Sequence, residues 1–246
     1  MPLAIPRLIG HRGAKASAPE NTLPAIEEAH RQGATWIEFD AKLTKDGVPI
    51  LMHDETLDRT TSGKGDVAAH TLAEIRALDA GAWFGPAFAG TKVPTLEEAM
   101  ALMASLGMGF NIEIKPCPGR EAETARAACA LVDELWPKSL PTPVVSSFKR
   151  AALAAAQKDF AHLPRGYLAE ELTGDWLGEA KALGCATIHP GWKRLTEAHV
   201  RAAKVAGHPV LVWTVNEAPR ARELLAWGVD ALITDKPGEI GAAITR

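Results

Sequence analysis

The sequence predicts a (β/α)8 barrel, and three observations carry that prediction. The chain has 246 residues, close to the roughly 250 typical of such a barrel. Short apolar runs of strand character alternate with amphipathic or Ala-rich helical runs, which implies a parallel sheet. There are eight of each, and eight units in this length imply closure. An open doubly wound sheet is the alternative, but it needs a Gly-rich first turn. His11-Arg12-Gly13-Ala14 lacks the G-x-G-x-x-G spacing.

In chain order the strand runs are Leu8–Gly10, Trp36–Asp40, Phe110–Lys115, Val144–Ser147, Gly166–Leu168, Ala186–His189, Val210–Val215 and Ala231–Thr234. Helical stretches fall near 22–32, 95–106, 120–135, 149–158, 175–183, 195–206, 217–227 and 237–244. Asn21 is placed to cap the first helix, with Pro24 in its first turn. Gly33, Gly184, Gly207 and Gly228 follow helix ends, where a left-handed residue is favoured.

One segment, about 44–92, breaks the alternation. It opens on the turn signal Thr44-Lys45-Asp46-Gly47 and continues as Val48-Pro49-Ile50-Leu51-Met52-His53. A hairpin closed there pairs Leu43 with Val48 and sets His53 opposite Glu38 on one face. The remainder is rich in Gly, Thr and Ala, with a short helical pattern at 71–78. This is an insertion over the barrel mouth, within one catalytic domain spanning 1–246, and long insertions of this kind tend to be functional.

Composition narrows the function. The formal net charge is −3 and no basic tract is present, which argues against a nucleic-acid partner. No run approaches 18 apolar residues, so no membrane insertion is expected. The three cysteines, Cys117, Cys129 and Cys185, show no C-x-x-C spacing and are expected as free thiols. Met1–Ile9 is too short for a leader, and the expected location is cytoplasmic.

Active sites of such barrels lie at the C-terminal strand ends. There the sequence places His11 and Arg12, Glu38 and Asp40, Glu113 and Lys115, His189, Trp213 and Asn216, and Asp235. Residues two apart in a strand share a face, so Glu38 joins Asp40 and Glu113 joins Lys115, while Ile37 and Phe39 turn toward the helices. Carboxylates aimed inward need partners. Either they pair with Lys or Arg across the barrel, or Glu38, Asp40 and Glu113 form an all-oxygen site suited to Mg²⁺ or Ca²⁺. His11 and His53 at the same mouth suit acid–base catalysis near neutral pH. With a divalent ion and the two cations Arg12 and Lys115, the site is slightly positive and fits a singly charged phosphodiester; without the ion it repels one. Ser146 and Ser147 read as structural, and Trp213 as core or as an apolar wall.

In order along the chain, His11-Arg12-Gly13, Pro19-Glu20-Asn21-Thr22, Glu38-Phe39-Asp40, Asp46-Gly47 with His53-Asp54, Glu113-Ile114-Lys115 and Trp213-Thr214-Val215-Asn216 resemble the glycerophosphodiester phosphodiesterases. The resemblance covers essentially the whole chain, and the Glu38-to-His53 spacing is also similar to that of phosphoinositide-specific phospholipases C. It implies hydrolysis of glycerophosphodiesters, such as glycerophosphocholine or glycerophosphoethanolamine, to sn-glycerol 3-phosphate and an alcohol. Glu38, Asp40 and Glu113 match the metal ligands of that family, His11 and His53 its general acid and base, and Arg12 and Lys115 its phosphate contacts. Glu20 matches a supporting position, and Trp213 and Phe148 match positions near the glycerol moiety. A phospholipase acting on intact lipid, and a silent binder of metal or glycerophosphate, are the competing readings.

Overall fold

The computed structural model describes residues 3–245. Met1, Pro2 and Arg246, which fall within the bounds expected for the domain, lie outside the described residues. Nine strands form: β1 (Leu8–His11), β2 (Trp36–Leu43), β3 (Pro49–Leu51), β4 (Gly109–Ile114), β5 (Val144–Ser147), β6 (Arg165–Ala169), β7 (Cys185–Pro190), β8 (Leu211–Val212) and β9 (Ala231–Thr234). Eight of them are parallel staves in the order β7-β6-β5-β4-β2-β1-β9-β8. Parallel bridges Ile188–Val210 and Gly191–Trp213 join β7 to β8 and bring the ring to near closure. The strand over Val210–Val215 expected from sequence shrinks to the two residues of β8. Beyond it the pairing continues only through the bridge at Trp213 and the Val215 amide on the Ile233 carbonyl.

The outer helices are α1 (Leu23–Arg31), α3 (Leu96–Ser105), α4 (Glu121–Leu135), α5 (Arg150–Asp159), α6 (Trp176–Ala182), α7 (Glu197–Val205), α8 (Ala218–Ala226) and α9 (Pro237–Ile244). Their starts follow capping chemistry. Thr95 and Thr196 close reciprocal boxes with Glu98 and His199. At α1 the cap is Thr22, whose side chain accepts from the Ala25 amide. Asn21, expected there, instead adopts a left-handed φ of 57° and turns its carboxamide to Asp40.

The period-2 reading of β2 and β4 holds. Ile37, Phe39, Phe110 and Ile112 face outward into a core with Ile26, Met100, Met103 and Cys129 of the helices. The inward face divides by height. Ile9, Trp36, Val144, Leu211, Ala231 and Ile233 fill the lower barrel, with Ile5 and Leu3 packed beneath. Gly109 makes room for the Trp36 ring: a Cβ there would meet indole atoms at 2.4 Å.

The insertion holds β3, α2 (Leu72–Ala77) and two 3-10 turns around its own small core of Ile50, Met52, Leu57, Val67 and Ile75. β3 pairs antiparallel with β2, but Leu43 faces Pro49, Lys42 faces Ile50 and Ala41 faces Leu51. The expected Leu43–Val48 pairing is therefore off by one residue. The Thr44 amide bonds the Val48 carbonyl and the Thr44 hydroxyl accepts from the Val48 amide, so Val48 belongs to the turn. His53 consequently has no ladder partner in Glu38.

Candidate active site

A cavity of about 220 Å³ opens at the C-terminal ends of the strands. Of the residues selected from sequence, His11, Arg12, Glu38, His53, Glu113, Lys115, Phe148 and Trp213 all line it. Asp40 lies buried beside it, between Arg12 and Lys115. His53 arrives although the expected register fails. β3 ends at Leu51, the Met52 amide still bonds the Asp40 carbonyl, and the next residue swings into the mouth.

The acidic centre comes from adjoining strands. Asp40 is in register with Glu113, and Glu38 with Asn111. One ligand atom each of Glu38, Asp40 and Glu113 lies within 4.8 Å of the others. Both proposed fates of these carboxylates are partly realised. The Arg12 Nε lies 3.1 Å from Asp40 Oδ2, and Lys115 Nζ lies 3.1 Å from Glu113 Oε1. Asn21 donates to Asp40 Oδ2 at 2.8 Å. Glu38 has only the Arg12 backbone amide at 3.3 Å and the His11 Nε2 at 3.9 Å.

Burial and its acidic neighbours push Glu38 well above the usual carboxylate range, and burial with Asp40 beside it takes Glu113 up to about 7. Burial also opposes ionisation of Asp40, but Arg12, Lys115 and His53 outweigh it and hold that carboxyl low. Asp40 Oδ1 is buried without a hydrogen bond. Hard oxygen donors crowded to this degree, one with an idle lone pair, fit a divalent cation such as Mg²⁺ or Ca²⁺.

Each histidine is fixed by a carboxylate. His11 Nδ1 sits 2.6 Å from Asp235 Oδ1. Asp235 accepts from Asn216 Nδ2 at 2.7 Å, and Asn216 Oδ1 accepts from the Asp235 amide at 2.9 Å. His53 Nδ1 sits 2.6 Å from Asp54 Oδ1. Arg59 grips Asp54 through Nε at 2.6 Å and Glu20 through both terminal nitrogens at 2.9 and 2.8 Å. Glu20 also accepts from Arg12 at 2.7 Å. A chain of charge-assisted bonds thus ties the insertion to the barrel rim. Burial lowers the pKa of both His11 and His53, more than their carboxylates raise it. Nδ1 on a carboxylate leaves Nε2 as the free nitrogen.

On the far side, Phe148 and Trp213 meet edge to face with ring centroids 5.5 Å apart. Lys115 Nζ stands 5.5 Å from the Phe148 centroid. The Trp213 indole donates to the His189 carbonyl at 2.9 Å.

A model of the glycerophosphoryl diester phosphodiesterase family matches residues 11–239. The chain belongs to that family. It is a phosphoric diester hydrolase. A glycerophosphodiester phosphodiesterase of Caldanaerobacter subterraneus is 37% identical, over 94% of each chain. One from Bacillus subtilis is also 37% identical, over 93% of this chain and 83% of its own. An Oleispira antarctica phosphodiesterase, solved with its product sn-glycerol-3-phosphate, superposes with a TM-score of 0.96 at 38% identity, over 98% of both chains.

Several residues at the site carried no role in the sequence reading. Asp54 and Asn216 stood in quoted motifs, and Asp235 was only a strand-end residue. Arg59 gave no signal, because its partners lie 5 and 39 positions away. A carboxylate ending the last stave was the available clue to Asp235, since closure makes that stave the neighbour of the first. Ser146 and Ser147 are structural, bonded to Asn111 and to the Ile114 carbonyl. The three cysteines are free and buried. Among the described residues no helix is long and apolar enough to cross a membrane.

Proposed function

We propose that the chain hydrolyses glycerophosphodiesters, glycerophosphocholine and glycerophosphoethanolamine among them, to sn-glycerol 3-phosphate and an alcohol. In this reading the whole of 1–246 acts as one catalytic unit, and the insertion at 44–92 supplies His53. One observation carries it: two imidazoles, each set by its own carboxylate, share a cavity with a buried acidic triad. Glu38, Asp40 and Glu113 would hold Mg²⁺ or Ca²⁺, which when bound neutralises charge on the phosphoryl oxygens and in the transition state.

Arg12 presents a planar fork and Lys115 a point charge to the phosphate oxygens. Glu20 keeps the Arg12 fork in place. One histidine takes the proton of the attacking oxygen at Nε2. The other, protonated, gives its proton to the oxygen of the departing alcohol as the phosphorus–oxygen bond breaks. Asp235 and Asp54 favour the Nδ1–H tautomer and stabilise each imidazolium. Phe148 and Trp213 pack on the carbon skeleton of the glycerol unit. The partner is this small molecule, with no nucleic acid and no membrane insertion in the reading. Three free thiols suit the reducing cytoplasm.

The test is release of sn-glycerol 3-phosphate from a panel of diesters. A chelator is expected to abolish it, and added Mg²⁺ or Ca²⁺ to restore it. Turnover that ignores the chelator would overturn the metal role, and a panel yielding no sn-glycerol 3-phosphate would overturn the reaction.

A further inference from the structure

Among the described residues five buried side-chain atoms have no hydrogen-bond partner: Arg12 Nε, Asp40 Oδ1, Asn111 Oδ1, His189 Nδ1 and Arg220 Nε. Such atoms are few in native proteins and each calls for a cause. Arg12 and Asp40 belong to the charged cluster, and Arg220 is not at the cavity. Asn111 and His189 remain. Both line the cavity, at 1% and 0% exposure, and the proposed reaction uses neither.

Their place is the floor. Asn111 lies on the inward face of β4, two residues below Glu113, and His189 stands near the end of β7. Leu168, in register with His189, and Ile233 also line the cavity. The Asn111 amide already donates to Ser146 Oγ at 3.0 Å, which leaves Oδ1 idle. His189 Nε2 is engaged with Thr187 Oγ1 at 2.8 Å, which leaves Nδ1 idle. The ring is seated by design of the neighbouring stave. A Cβ on Gly166 would come within 2.6 Å of the imidazole. Burial takes the His189 pKa down to about 3, so the floor is uncharged.

We infer that Asn111 and His189 form a hydroxyl subsite, which receives a free hydroxyl of the polyol arm of the substrate. The inference rests on the phosphodiesterase reading above and assigns the part of that site that recognises the polyol. Oδ1 only accepts, so its ligand must donate, and a phosphate oxygen of the diester does not. An ammonium donates but brings a charge among uncharged groups. A hydroxyl does both tasks. With the Thr187 hydroxyl donating to Nε2, the His189 proton lies on Nδ1; the ligand oxygen accepts it and gives its own proton to Asn111 Oδ1. A glycerol hydroxyl closed by an acyl ester has no proton to give. The subsite therefore selects deacylated glycerol units over intact lipid.

Calorimetric titration of the metal-loaded enzyme with sn-glycerol 3-phosphate and with n-propyl phosphate tests this without any bond breaking. Wild type is expected to prefer the glycerol ligand by about tenfold or more. His189→Phe keeps the ring bulk and removes the nitrogens. It should leave n-propyl phosphate binding in place and reduce the preference about tenfold. Wild type also provides a test that needs no variant: 2-hydroxypropyl or 3-hydroxypropyl phosphate should recover most of the gap. Equal affinity of wild type for the glycerol and propyl ligands, or a preference unchanged in His189→Phe, overturns the subsite. A wild type that releases no sn-glycerol 3-phosphate from glycerophosphocholine overturns the reaction itself, and that result is read in a separate assay.

Discussion

The lower and upper halves of the barrel interior are built by the same strands and the same inward face, yet they are opposite in chemistry. Two residues along a strand make the difference. Ile9 gives way to His11, Trp36 to Glu38, Val144 to Ser146 and Ile233 to Asp235. Below, the side chains form an apolar plug that carries no ionisable group. Above, carboxylates, imidazoles and cations interlock, and four of the five unpartnered buried atoms belong to residues there. The lower half supplies stability through burial. The upper half carries desolvation costs that its ion pairs and hydrogen bonds offset only in part. The division lets one scaffold be firm and reactive at once.

Substitution of the two histidines should sharpen this contrast most. His11→Ala or His53→Ala is expected to lower kcat by about 10²–10⁴, with Tm within a few degrees of wild type, in steady-state and thermal-melt measurements on the metal-loaded enzyme. A mere few-fold loss in both variants would return these residues to a packing role. Trp36→Ala acts at the other end. Truncating this buried ring should cost about 3–5 kcal/mol in denaturant unfolding, while the folded fraction keeps its kcat/KM. Lost activity with intact stability would mean the halves are not separable.

The smallest effect concerns the seam between barrel and insertion. Burial raises the Glu20 carboxyl, but Arg59 and Arg12 more than compensate and bring it to about 2. A folded pKa below the unfolded value stabilises above the unfolded pKa and is lost as pH falls toward the folded one. Glu20→Gln should therefore cost about 3 kcal/mol at neutral pH, and the gap from wild type should narrow as pH drops from 4.5 toward 2. A pH-independent difference would show that the ion pairs are not its source.

Much of the site was legible because its logic is local. The pairs Glu38–Asp40 and Glu113–Lys115 share a face by strand period alone, and His11 ends an apolar run. Asn21 misled for an equally local reason. A carboxamide before a helix is a good cap, but Asp40, 19 residues on, offered it a buried charge to bond, and Thr22 took the cap. The hairpin register slipped by one because the turn drew in Val48, whose amide and carbonyl both bond Thr44.

By itself the sequence determined the alternation of strands and helices, the face of each strand that carries charge, and the set of polar residues at the strand ends. These depend on backbone geometry repeating every two or 3.6 residues. The tertiary structure alone decided which of those residues meet. His11 and Asp235 are 224 positions apart and touch only because the barrel closes. Asn111 and His189 come to one floor from β4 and β7 for the same reason. Pair periodicity specifies direction within a stave, whereas partnership across staves is set by closure, register and packing of the whole ring.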